Sequence, residues 1–112
     1  MEPDWTPITQ EEFDDRLRAE TAALSPASRE CFHRYQVKPW QAIIRRSEQY
    51  GDERVWVVAQ DGPLAVFLDD VEDEFAVGTL DAGNRLSEYG FVGDLTDALN
   101  GFPERYTCRD AG

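Results

Sequence analysis

The chain has 112 residues, with 23 Asp and Glu against 11 Lys and Arg, a net charge of −12 and a pI near 4.3. That balance argues against direct binding to nucleic acid or an anionic membrane, because the field of the whole molecule repels phosphate, and it favours a basic protein partner. A hydrophobic fraction of 41%, including three Trp, four Tyr and six Phe, excludes a disordered acidic chain. It suits one domain over 1–112, able to bury roughly two thirds of its unfolded surface without a structural metal or disulfide.

Residues 1–7 and 105–112 read as loose tails. The first residues show no basic-then-apolar leader, and no run approaches the ~18 apolar residues of a membrane span, so the expected compartment is the cytoplasm. Cys31 and Cys108 then read as reduced thiols, with a bridge from the tail to the second helix as the alternative.

The first element is announced by Ile8-Thr9-Gln10-Glu11-Glu12-Phe13. Thr9 suits the N-cap, Glu12 at N3 closes a capping box, and Ile8 can staple onto Phe13. Glu11, Glu12, Asp14 and Asp15 complement the positive end of the helix dipole, while Phe13, Leu17, Thr21 and Leu24 trace a narrow core stripe. Ser25-Pro26 restarts the chain as N-cap and N1 of a second helix to about Gln36, with Ala27, Cys31, Phe32 and Tyr35 inward and the two helices forming a hairpin.

Trp40 to Tyr50 fits two patterns. As a helix it runs from Pro39 to Gly51 with Trp40, Ile43, Ser47 and Tyr50 on one face; as a strand it sets Trp40, Ala42 and Ile44 together. The strand is preferred, because the next run calls for a second neighbour.

Val55 to Ala59 and Leu64 to Leu68 are apolar runs of strand length that do not alternate with polar residues, so both faces need cover. Asp61-Gly62 between them favours a tight hairpin, but Pro63 has no amide to return across such a turn, so a four-residue or open turn is expected. Phe75 to Leu80 is a third strand in which Gly78 marks a bulge or an edge. Asp81 to Asn84 reads as a turn, Arg85 to Phe91 as loop or short strand, and Asp94 with Asp97 as the cap of a last helix that turns Leu95, Ala98 and Leu99 to the sheet.

No constellation for catalysis is visible. His33 is the sole histidine, and Cys31, two residues away on a helix, points elsewhere. There is no phosphate-cradling glycine loop and no zinc-ligand spacing, and Glu74 stands where a calcium-binding loop would need glycine. The expectation is a non-enzyme without cofactor or metal.

What stands out is Asp69-Asp70-Val71-Glu72-Asp73-Glu74, five carboxylates in six residues. Read blandly it is a solvated charge run. Read as a docking surface, Asp69, Asp70, Glu72, Asp73 and Glu74 project from the sheet end to meet Lys and Arg of a partner, with Tyr89 and Phe91 as aromatic anchors.

The helical first half, the strands around DDVEDEF and the closing GDLTDALNGF resemble, over about residues 9–102, the small acidic immunity proteins that protect bacteria from their own toxins. The likeness is one of layout and transfers no site residue. It implies a stoichiometric inhibitor that masks a basic partner such as a nuclease toxin. The alternative is a structural or adaptor domain acting as a homodimer. The expected fold is α+β: a helical hairpin, an antiparallel meander of three or four strands and a C-terminal helix.

Overall fold

The computed structural model describes residues 8–47, 51–69 and 73–100. It is an α+β fold of two helices, α1 (Gln10–Ala22) and α2 (Pro26–Tyr35), five strands, β1 (Gln36–Ser47), β2 (Gly51–Asp61), β3 (Leu64–Asp69), β4 (Glu74–Leu80) and β5 (Arg85–Gly93), and a short α3 (Leu95–Leu99).

The strands do not stop at an open meander. Each pairs antiparallel with the next, and β5 returns to β1 to close a barrel. With five strands alternating in direction, the first and last must run the same way, so the closing seam is parallel, at Ile43↔Arg85 and Ile44↔Leu86. An ion pair across the outside of that seam, Arg85 to Asp52 at 2.9 Å, adds little at its exposure. Trp40 to Ser47 is strand, as preferred from sequence, and 48–50 lie outside the described residues.

Closure gives the sheet an inside and an outside, and both are buried. Ala42, Ile44, Val55, Val57, Ala65, Phe67, Ala76 and Leu86 fill the interior, with Trp40 packed against them. Val58, Val66, Leu68, Phe75 and Val77 face outward beneath Phe13, Leu24, Phe32, Leu95 and Leu99 of the helical layer. The alternation of Val55 to Ala59 therefore serves two cores, as the unbroken apolar run demands. The β2–β3 register slips between Val57 and Ala59, and this carries Ala59 to the outer side with Val58.

Two turns differ in their details from expectation. The β2–β3 connection is not a four-residue or open turn: Asp61 pairs with Leu64, leaving Gly62-Pro63 as a two-residue loop. Gly62 takes φ +61° at the first central position, as in a type II′ turn, and Pro63 sits second, where no amide is required. Gly78 does mark an irregularity, between Val77 and Thr79 in the β4–β5 register, but β4 is no edge, since Gly78 also pairs with Ala65.

The helix starts follow the sequence closely. Thr9 and Glu12 form a reciprocal capping box on α1, Ser25 caps α2 with Pro26 at N1, and Asp94 with Asp97 boxes α3. Ile8 packs on the cluster that contains Phe13. Phe13 in turn stacks on Trp56 of β2, with ring centroids 4.7 Å apart and planes 16° apart, which seats α1 on the barrel. Cys31 is disulfide-bonded, which corrects the expectation of a free thiol; Cys108 lies outside the described residues. No described helix is long and apolar enough to cross a membrane.

Candidate functional site

Asp73, which leads into β4, is held by a basic residue on a helix distant in sequence. Arg16, in the second turn of α1, lays its guanidinium 5.5 Å from the centre of the Phe75 ring. Its Nη1 donates to the Asp73 carboxylate, its Nη2 donates to the Asp73 backbone carbonyl at 3.2 Å, and its Nε donates to Glu20 one helical turn on, at 3.2 Å. Burial by itself would lower the pKa of Arg16; the hydrogen bonds and charge of Asp73, then those of Glu20, outweigh it and leave the value raised. Asp73 adopts a left-handed backbone, φ +59°, and the two bonds from Arg16 hold it there.

Glu20 extends the arrangement. Its other oxygen accepts the Leu95 amide at 3.1 Å, at the start of α3. Residues separated by 57 positions (Arg16 and Asp73) and by 75 positions (Glu20 and Leu95) are thus drawn to one side of the molecule. Asp73, Asp94 and Asp97 are exposed there and Glu74 is half-buried. This is a face rather than a loop, built by α1, the β3–β4 connection and the first turn of α3.

The predicted site residues divide. Asp73 and Glu74 belong to this face. Asp70 and Glu72 lie outside the described residues, and Tyr89 and Phe91 are in β5 with side chains outside the description. Asp69 is a correction: expected to project into solvent, it is 6% exposed. The reason is strand period. Asp69 pairs with Glu74 as the last residue of β3, and it shares the alternation of Ala65 and Phe67, which point into the barrel.

Sequence reasoning missed Arg16, which carries no signal beyond being one of two bases on an acidic helix. It also missed a signal that was present. Residues 21–47 hold five bases, Arg29, Arg34, Lys38, Arg45 and Arg46, against the single acid Glu30, so the other segments share six bases and 22 acids. The charge is segregated: α2 and β1 are basic, and nearly all the acid lies elsewhere.

Among the described residues no group of three or more His, Cys, Asp or Glu side chains is placed to hold a metal ion. Comparison with known protein families, with characterised proteins and with solved structures gave no match.

Proposed function

We propose that the protein is a stoichiometric binding protein of the inhibitor or immunity type, which covers a basic protein such as a nuclease toxin with its acidic face. The observation that supports this reading is the gathering of Asp73, Glu74, Asp94 and Asp97 around the Arg16 anchor in a chain of net charge −12. Such a face steers a cationic partner and fixes its register. Asp69, being buried, takes no part in the contact.

The test is capture at low ionic strength from lysate of the source cell, followed by a salt step. A stoichiometric basic protein that leaves with salt is the expected result. Asp73→Asn, Glu74→Gln, Asp94→Asn and Asp97→Asn together should reduce its association rate by about tenfold or more at low salt, with a smaller effect near 0.15 M. Unchanged affinity for the captured protein would remove the acidic face from the interface.

A homodimeric adaptor is the second reading, and the observation in its favour is the charge segregation just described. A basic segment and acidic segments on one chain are complementary to each other. Light scattering across protein concentration separates the two: a tight dimer that captures no other protein supports the adaptor.

A further inference from the structure

Between α1 and α2 lies an open cleft of about 340 Å³, opposite in charge to the rest of the molecule. Its walls follow from helical spacing. Arg18, Thr21 and Ala22 of α1, and Arg29, Phe32 and His33 of α2, are each an i, i+3, i+4 trio, so each helix turns one stripe to the gap. The lining is mainly carbon, with Phe32 at the bottom, and the polar groups sit at the rim.

The two arginines are held differently. Arg29 donates one N–H to the Leu24 carbonyl at 3.2 Å, which ties the guanidinium to the turn between the helices and leaves its other donors available. Arg18 pairs with Asp15 at 2.9 Å, with both side chains largely exposed. Among the described residues no carboxylate is paired with Arg29 or His33, in a sequence with twice as many acids as bases. Two guanidinium forks and an imidazole around a small apolar floor are the donor set that binds an oxyanion attached to an organic body. The volume is that of a small-molecule site, too small for a folded domain.

We propose that this cleft binds a small organic oxyanion, with its phosphate or carboxylate group between Arg18, Arg29 and His33 and its apolar part against Phe32. The proposal is independent of the acidic docking face and survives if that face has no partner.

Phenyl phosphate, benzoate and inorganic phosphate are titrated into the isotopically labelled chain, and amide shifts are followed by NMR. Saturable binding of phenyl phosphate in the millimolar range or tighter is expected, with the largest shifts in 18–22 and 29–36 and weaker binding of inorganic phosphate, which leaves the apolar floor bare. The ratio of phenyl phosphate to benzoate affinity assigns the oxyanion type, and either order supports the site. His33→Gln and Arg29→Gln should each weaken phenyl phosphate by about tenfold. Asp15→Asn, which frees Arg18 from its pair, should tighten it severalfold. Arg54→Gln, an exposed change on β2, should leave it unaltered.

Circular dichroism checks each fold; if losing the Arg29 bond to Leu24 loosens the helices, His33→Gln and Asp15→Asn, both exposed, decide. Non-saturable shifts, shifts centred elsewhere, or equal affinity across these variants would overturn the proposal. So would cleft shifts that appear on concentrating the protein without ligand, since they would make a second copy the occupant.

Discussion

The inside and the outside of the barrel are both buried, yet they are built from different side chains. The interior is filled by Ala42, Ala65, Ala76, Val55, Val57, Ile44 and Leu86 around one fully buried ring, Phe67, with the partly buried Trp40 packed against them. The outer core uses Phe13, Phe32, Phe75 and Trp56 with several leucines. Five strands enclose little space, so most inward positions must be small. The outer layer is a helix resting on a sheet, and large rings suit it because the helix can stand off as far as they require. Rigidity resides inside. Both charged surfaces belong to the outer, adjustable layer, where α1 contributes to the acidic face on one side and to the basic cleft on the other.

The comparison can be broken most directly by emptying one ring from each core. Phe67→Ala should cost about 3–5 kcal/mol, because a wall of paired backbone on every side cannot collapse into the void. Phe13→Ala removes the same ring and the stack on Trp56, but α1 can settle toward the sheet, so the loss should be smaller by about 1 kcal/mol or more. Urea unfolding of both variants measures this. Equal losses, or a larger one for Phe13, would mean that the helical layer is as fixed as the barrel.

A second test adds volume rather than removing it. A Cβ at Gly78 would sit 3.1 Å from Leu86 Cδ2 and 3.3 Å from Phe67 Cε1, inside the barrel. Gly78→Ala should therefore destabilise by about 1–3 kcal/mol, the range of an overpacked core, although alanine is otherwise the better strand residue. A neutral result would show that Phe67 has room to move and that the interior is looser than its composition implies.

Where local chemistry decides, the sequence was sufficient. The three helix starts, the strand character of Trp40, Ala42 and Ile44, and the two-sided burial of Val55 to Ala59 all follow from neighbours within a few positions. The closed barrel was not legible, because its seam is a short parallel contact between Ile43-Ile44 and Arg85-Leu86, far apart in sequence and without a pattern of their own. The burial of Asp69 is hidden in the sequence because the charge of its neighbours masks the period of its strand. The disulfide at Cys31 is not legible for a similar reason: two cysteines far apart in sequence suit a reducing compartment equally well, and spacing does not distinguish the two states. Arg16 could be found only in three dimensions.

The smallest effect separates two arginines two residues apart. Arg16 is 25% exposed, lies over Phe75 and bonds Asp73 and Glu20, whereas Arg18 is 74% exposed and, among the described residues, pairs with Asp15 alone. An exposed pair on a helix is worth about 0.3–0.5 kcal/mol at most, so Arg18→Gln should be nearly silent in stability. Arg16→Gln loses a cation over a ring together with bonds to two carboxylates, and about 1–2 kcal/mol is expected. A double-mutant cycle with Asp73→Asn isolates the part that reaches across the sequence. Coupling of about 0.5 kcal/mol or more would establish that α1 anchors the acidic face. Coupling near zero would leave Asp73 held by its own turn and Arg16 resting on Phe75, and the acids of α1, β4 and α3 would then be neighbours without being a unit.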